Sequence, residues 1–278
     1  VGATIRPVNG CRVSPEGRIE LDTPRNVLAL LQTVEYLRAF MAARLAWSQL
    51  GALTLVSGAF GVFRRDLLLE IGGYSTTTLG EDLELVVRLR RHLKDRRRSG
   101  RVVFVPEPLC WTEAPEDLAV LRRQRVRWQR GALETFAVHW PMLVHPRHGH
   151  VGLLGLGRIL LVDVLGPVLE LVSWSLLLLF WALGALSTAH ALAYLALAIA
   201  FGVAISLFTL SLQEAELRRF PRTRSLAALA GAAVLENFGY RQLNTLWRLE
   251  GTLRHFTTAP TWGAMTRKGF AATAGATN

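Results

Sequence analysis

Two long apolar runs in the second half of the chain limit its possible folds more than any other feature. Residues 153–186 contain a stretch dense in Leu, Val and Trp, and about 20 such residues cross the roughly 30 Å hydrocarbon core of a bilayer. Residues 191–212 form a cleaner second run, and the polar turn from Ser187 to His190 predicts that the two make a helical hairpin. The first run carries Asp163, Pro167 and Glu170. Acids at membrane depth usually face a bundle interior or a wet path, so two readings stand: a substrate path, or a polar first half lying at the interface. After the second run, Arg218, Arg219, Arg222 and Arg224 crowd a short loop. Positive residues beside a span mark the cytoplasmic side, and two crossings return the chain to its starting side, which places the first half in the cytoplasm. A third segment, 225–235, is apolar but is interrupted by Glu236, Asn237, Tyr240, Arg241, Gln242 and Asn244. It either crosses, leaving the basic tail with Arg254, Arg267 and Lys268 outside, or re-enters or hugs the bundle and keeps that tail inside.

The first half reads as soluble. Ala3 to Val8 alternate as a strand and Asn9-Gly10 offers a turn. Between Arg25 and Leu50, Val27, Leu30, Leu31, Val34, Leu37, Met41 and Leu45 recur at three and four, the spacing of a helix packed on a core. Glu35, Arg38 and Arg44 lie off that stripe, either solvated or lining a pocket. Short strands are expected at 53–56, 60–63 and 101–106, a helix opening at Arg64-Arg65-Asp66, another from Leu83 to Leu93 stopped by the charge run 94–98, and a turn-rich loop over 107–115. Strands alternating with helices suit an α/β domain. The formal net charge of +11 would suggest nucleic acid as partner of a soluble protein, but these arginines gather beside apolar spans, where anionic lipid is sufficient; no nucleic-acid partner is expected. Cys11 and Cys110 match no metal-ligand spacing and give no disulfide framework. The opening Val-Gly-Ala-Thr-Ile-Arg-Pro-Val starts like a strand in mid-domain, and the chain is expected to be the C-terminal part of a longer one.

Three stretches carry candidate chemistry. In the basic segment 121–131, read as a helix, Gln124, Arg127 and Trp128 fall within an arc of about 100° and project an amide, a guanidinium and an indole from one face. That trio suits a phosphate and a sugar. The same segment also carries an apolar stripe of Leu118, Leu121, Trp128, Ala132 and Phe136, and a basic amphipathic helix lying on a membrane surface is the competing reading. Glu81, Asp82 and Glu84 begin a helix just after a Thr/Gly loop. Thr78 with Glu81 matches a capping box, which accounts for Glu81 as a helix start, while a carboxylate flanked by others is also placed to act as a general base. Ser57-Gly58-Ala59-Phe60-Gly61 allows close backbone approach to a ligand or another element, or forms a tight bend between strands.

In order, Ser57-Gly-Ala-Phe-Gly61, Gly72-Gly-Tyr74, Gly80-Glu-Asp82, Thr112-Glu-Ala-Pro115, Gln124-Arg-Val-Arg-Trp128 and then apolar spans make a combination that resembles the membrane-bound processive family 2 glycosyltransferases, especially the poly-N-acetylglucosamine synthase-like branch. The resemblance implies the C-terminal part of a GT-A type α/β nucleotide-sugar transferase domain over residues 1–116, amphipathic interfacial helices over 117–150, two to three spans over 151–250 and a basic tail over 251–278. It implies an inverting transfer from a nucleotide diphosphate sugar, a UDP-sugar with N-acetylglucosamine or glucose, to a growing polysaccharide at the bacterial inner membrane, coupled to export and open to accessory subunits. Residue by residue, it places the base on Asp82 beside Glu81, diphosphate and acceptor contacts on Gln124, Arg127 and Trp128, and acceptor-side backbone on Ser57 and Gly58. Two departures stand out. Gly80 occupies a position where many relatives have Thr, and the Asp-x-Asp motif that would carry Mg²⁺ or Mn²⁺ occurs nowhere in the chain. No metal ligands are expected here, a divalent cation is implied for the full-length enzyme with its ligands outside this chain, and the fragment alone is expected to be inactive. The alternatives are a non-processive membrane transferase and a catalytically silent scaffold or export partner of the same fold.

Overall fold

A computed structural model describes residues 1–13, 19–20, 22–217 and 223–259. Arg218, Arg219, Arg222, Arg267 and Lys268 lie outside the described residues. Strand β1 (Gly2–Pro7) is buried at all six positions, as a strand covered on both faces must be. β2 (Arg12–Val13) and β3 (Ile19–Glu20) form a short antiparallel pair. Helix α1 (Val27–Leu37) opens on Asn26, whose side chain accepts from the Ala29 N–H at 3.1 Å. It runs through a π-helical stretch, Arg38–Arg44, into α2 (Leu45–Gln49). The helix expected between residues 25 and 50 is therefore present, with a widened turn in its middle.

Helices α3 (Arg65–Glu70) and α4 (Glu81–Asp95) follow, and then strand β4 (Phe104–Thr112), which pairs with β1 in parallel. Here the strand expectations need correction. β4 covers much of the region read as a turn-rich loop, because its prolines do not break the pairing: the register slips between Ala3 and Thr4 and again between Thr4 and Ile5, so Pro106, Glu107 and Leu109 fall between paired positions. Residues 53–56 are not in a strand. They run extended and mostly buried, and the guanidinium of buried Arg90 on α4 takes the carbonyls of Gly51 and Leu53 that a ladder would otherwise use. Around residue 61 the expected strand shrinks to one antiparallel bridge between Gly2 and Gly61.

Helix α5 (Leu118–His139) is the axis of the molecule. Asp117 caps it, accepting from the N–H groups of Ala119 and Val120 at 2.8 and 3.0 Å. Val120, Leu121, Gln124, Arg125, Val126, Gln129, Arg130 and Gly131 are all buried. Short helices follow: α6 (Pro141–Val144), a 3-10 turn at Pro146–His148, and π-helical stretches Val151–Leu156 and Ile159–Val164. They lead into α7 (Gly166–Ala182) and α8 (Thr188–Leu217). Within α8, residues Thr188–Ala215 are long and apolar enough to cross a membrane, and Val151–Val164 with Gly166–Ala182 passes the same test as one span bent by 45°. Most large side chains of α7 face outward.

The third apolar segment is α9 (Thr223–Leu235). At 13 residues it reaches only about 20 Å, short of the roughly 30 Å hydrocarbon core. Gly239, at φ +94°, turns the chain into α10 (Tyr240–Thr257), which lies along α5. Gly251 makes that approach possible, since a Cβ there would stand 2.8 Å from the Gln129 Cβ and 2.9 Å from the Val126 carbonyl.

Three larger apolar clusters meet on α4 and α5, and a small fourth packs Leu67 of α3 against Leu89 and Leu93 of α4. One joins Leu31 and Val34 of α1 to Leu121 and Val126 of α5, Leu229 of α9 and Trp247 of α10. A second joins Ile5, Phe40, Val86 and Phe104 around the sheet, and a third joins Leu83 and Val87 of α4 to Ala132, Met142, Leu156 and Ile159. Each buried Leu or Ile side chain there contributes about 1.5–3 kcal/mol relative to exposure. Consecutive turns of α4 and α5 are thereby held against the rest of the chain from several sides.

Candidate active site

Between α1, the start of α4 and α5 lies a cavity of about 930 Å³, at the upper end of the range for small-molecule sites. Ser57, Gly58, Glu81, Asp82, Gln124, Arg127 and Trp128 all line it, as do Thr112, Glu113, Ala114 and Pro115 at the end of β4. Gly72 to Tyr74 do not line it; the Gly73 carbonyl instead accepts from Arg88 at 2.6 Å.

Two glycines bring the halves of the site together. A Cβ on Gly131 would stand 2.5 Å from both Cα and N of Gly80, and one on Gly80 would stand 2.8 Å from the Gly131 Cα. Since real Cβ contacts do not approach this closely, the start of α4 and the middle of α5 touch backbone to backbone only because both residues lack side chains. This contact puts Glu81 and Asp82 opposite the turn that bears Arg127 and Trp128, and it leaves no room in this chain for a threonine at position 80.

The expected capping box is not formed. The residue preceding α4 is Gly80, and it offers no side-chain cap. Thr78 instead donates from its hydroxyl to Glu134 Oε2 on α5 at 2.9 Å, and the same oxygen accepts from the Leu79 N–H at 2.7 Å. The helix-start loop is tied to α5, not to its own first turn. Glu134 was not legible as a site residue, because a lone acid on a basic helix looks solvated.

Within the cavity, Asp82 is fixed by two amides. Its Oδ2 accepts from the Gly58 N–H at 2.8 Å and its Oδ1 from the Leu83 N–H at 2.8 Å. Residues 57–60 form a turn closed by the Phe60 N–H on the Ser57 carbonyl at 3.0 Å, and a Cβ on Gly58 would meet Asp82 only at ordinary contact distances of 3.5 Å and more. Burial, reinforced by the neighbouring Asp82, holds the Glu81 carboxyl above the usual carboxylate range, partly offset by its own backbone N–H and by Arg127. Its Oε2 is buried without a hydrogen-bond partner, and so is Oε1 of Gln124, which is only 7 % exposed. Buried polar atoms are normally satisfied, and these two acceptors belong to residues that line the cavity. Arg127 reaches toward the Leu79 carbonyl at 3.4 Å. Trp128 is 41 % exposed, leaving ring surface open.

Arg44, at the end of the π-helical stretch, is a further site residue. It donates to Ser57 Oγ at 2.6 Å, its guanidinium carbon lies 3.8 Å from the centre of the Phe40 ring, and it lines the cavity. Burial brings its pKa down to about 10, with Asp82 pulling the other way, so it stays charged at neutral pH. Its place off the apolar stripe gave a partial signal. Arg38, also off the stripe, pairs with the fully buried Glu236 and with Ser206 of α8.

Among the described residues, no three His, Cys, Asp or Glu side chains converge on one point. Cys11 and Cys110 are both free thiols.

The family described as glycosyl transferase family group 2 matches residues 17–210. The chain belongs to that family. Among its relatives, the poly-beta-1,6-N-acetyl-D-glucosamine synthase of Staphylococcus epidermidis is 30% identical over 128 residues, 46% of this chain and 30% of that protein. The synthase of the same name from Staphylococcus aureus (strain COL) is 30% identical over 118 residues, 42% of this chain and 27% of that protein. The matched stretch spans less than a third of the length of these curated relatives. The cavity lies in a chain of glycosyl transferase family group 2.

Proposed function

We propose that this chain is the acceptor-side and membrane part of an inverting glycosyltransferase that extends a polysaccharide with N-acetylglucosamine or glucose from a UDP-sugar at the bacterial inner membrane. In this reading residues 1–116 belong to the cytoplasmic catalytic domain, 117–150 carry the donor and acceptor contacts on helices near the membrane, 151–250 form the membrane region and 251–278 a basic tail. The observation that carries it is the gathering of Asp82, Glu81, Gln124, Arg127, Trp128, Ser57 and Gly58 around one cavity.

Asp82 is the base. Held by the Gly58 and Leu83 amides, it accepts the proton of the acceptor hydroxyl as that oxygen attacks the anomeric carbon of the donor from the face opposite the diphosphate. The new C–O bond forms as the bond to the leaving diphosphate oxygen breaks, and the configuration inverts. Arg127 offers its guanidinium fork to the departing phosphate oxygens, and Trp128 presents its open ring to the acceptor sugar. Gln124 and Glu81 line the same cavity and complete its polar wall beside the sugars. A divalent cation, Mg²⁺ or Mn²⁺, held by residues outside this chain, belongs to the proposal for the whole protein, as do export through the spans and accessory subunits.

The test is incorporation of labelled sugar by membranes carrying the full-length protein, with UDP-N-acetylglucosamine and UDP-glucose compared and product length read on a gel. The expected result is a long polymer of β configuration from one of the two. A single-sugar product would replace the polymerising reading with a non-processive one, and no transfer from either donor would remove the enzymatic reading.

A further inference from the structure

One face of Trp128 is backed by a guanidinium. The Arg125 carbon lies 4.5 Å from the centre of the Trp128 ring, and Arg125 itself is only 5 % exposed. Both of its terminal nitrogens are taken: NH1 donates to Glu35 Oε1 at 2.6 Å and NH2 to Glu35 Oε2 at 2.9 Å. The Tyr240 hydroxyl donates to the same Oε2 at 2.6 Å. A bidentate pair fixes the plane of a guanidinium as well as its position, and a fixed plane stacked on an indole restrains the ring.

We propose that Glu35, Arg125 and Tyr240 form a clamp that sets the orientation of the Trp128 ring, which makes them positioning residues for the acceptor sugar. The inference rests on the reading of Trp128 as the acceptor platform. The three residues come from different elements. Glu35 lies on α1 and also lines the cavity, Arg125 lies on α5 one turn from Trp128, and Tyr240 is the first residue of α10, just after the turn at Gly239. Tyr240 packs in the same apolar cluster as Leu229 and Ala233 of α9. The platform is thus held in part by the segment that follows the membrane hairpin, and a displacement of α9 and α10 is felt at Trp128 through one hydroxyl and one carboxylate.

The experiment uses the full-length protein in detergent, labelled with 5-fluorotryptophan, with the Trp128 resonance assigned by its loss in Trp128→Phe. Glu35→Gln, Arg125→Lys and Tyr240→Phe are each expected to shift or broaden that resonance with no substrate present. Trp47 belongs to the other core around the sheet, and its unchanged resonance reports an intact fold. Tyr240→Phe removes one hydroxyl and is the gentlest of the three. In parallel, the KM for a short β-linked N-acetylglucosamine oligosaccharide rises roughly tenfold in the variants while the KM for the donor stays within about twofold. An unmoved Trp128 resonance in all three overturns the clamp. A resonance that moves while acceptor KM stays flat, although Trp128→Phe raises it, overturns the positioning role. If Trp128→Phe leaves transfer unaltered while the three variants still move the ring, the clamp stands and the acceptor-platform reading falls.

Discussion

Replacing Gly131 with alanine tests whether the backbone contact between α4 and α5 sets the geometry of the site. The added Cβ would stand 2.5 Å from Gly80 Cα and N and 3.0 Å from the Leu79 carbonyl carbon, whereas carbon atoms rest at about 3.5–4.0 Å. All three obstacles are backbone, so no rotamer change relieves them and the two elements must part by roughly 1 Å. Overpacking of this kind costs about 1–3 kcal/mol. The same separation moves Asp82 away from Arg127 and Trp128, and a displacement of about 1 Å at reacting groups lowers rates by roughly 100-fold. Thermal unfolding of the full-length protein in detergent and sugar incorporation in membranes read the two effects separately. Gly231→Ala is the control, because nothing lies within 4 Å of a Cβ at that position in α9; it is expected to stabilise by about 0.5–1 kcal/mol and leave the rate unchanged. Wild-type stability and rate in Gly131→Ala would refute the claim that this contact spaces the site.

Glu134→Gln weakens the tie that holds Thr78 and Leu79 to α5, and a loss of about 1–3 kcal/mol with a larger fall in rate than in stability is expected from parallel melting and activity measurements. Glu84 titrates within the fold: burial pushes it up, but hydrogen bonds from His139 and Arg88 outweigh this and leave it below the usual carboxylate range. Its folded pKa is depressed, so its contribution is present above the ordinary carboxylate value and lost as pH falls through the folded one; Glu84→Gln should lower stability at neutral pH and flatten the acid limb of stability against pH. Arg122→Ala removes a pair with Glu250 at 2.7 Å, but Arg122 is half exposed, so chemical denaturation should show a change of about 1 kcal/mol or less.

Some of this architecture was legible because it is periodic. The stripe Leu31, Val34 and Leu37 gave α1, the acids Glu81, Asp82 and Glu84 with the charge run 94–98 bounded α4, and the arc of Gln124, Arg127 and Trp128 placed all three on the wall of one cavity. The strands were less legible, because their partners lie about a hundred residues away: the start of β4 was expected as a strand ending at Pro106, but its second half, with Pro108, reads as a loop until β1 is laid beside it. The capping box failed for the same reason, since Glu134, 56 residues from Thr78, competes for the hydroxyl that local spacing assigned to the helix start. The basic face of α5 is the clearest case. Its composition suits a lipid surface, yet Arg122 pairs with Glu250, Arg125 with Glu35, and Arg130 donates to the carbonyls of Thr258 and Ala259. Charge alone does not show whether an arginine faces lipid, solvent or a carboxylate brought from elsewhere in the chain.

Asp82→Asn in the full-length protein decides whether this cavity transfers sugar with Asp82 as the base. The amide keeps the size of the carboxylate and can still accept from the Gly58 N–H, so melting within a few degrees of wild type is expected. Incorporation of labelled sugar into membranes should fall by about 100-fold to 10,000-fold, the usual contribution of a positioned general base. Polymer formed at close to the wild-type rate by a folded Asp82→Asn protein would rule out Asp82 as the base.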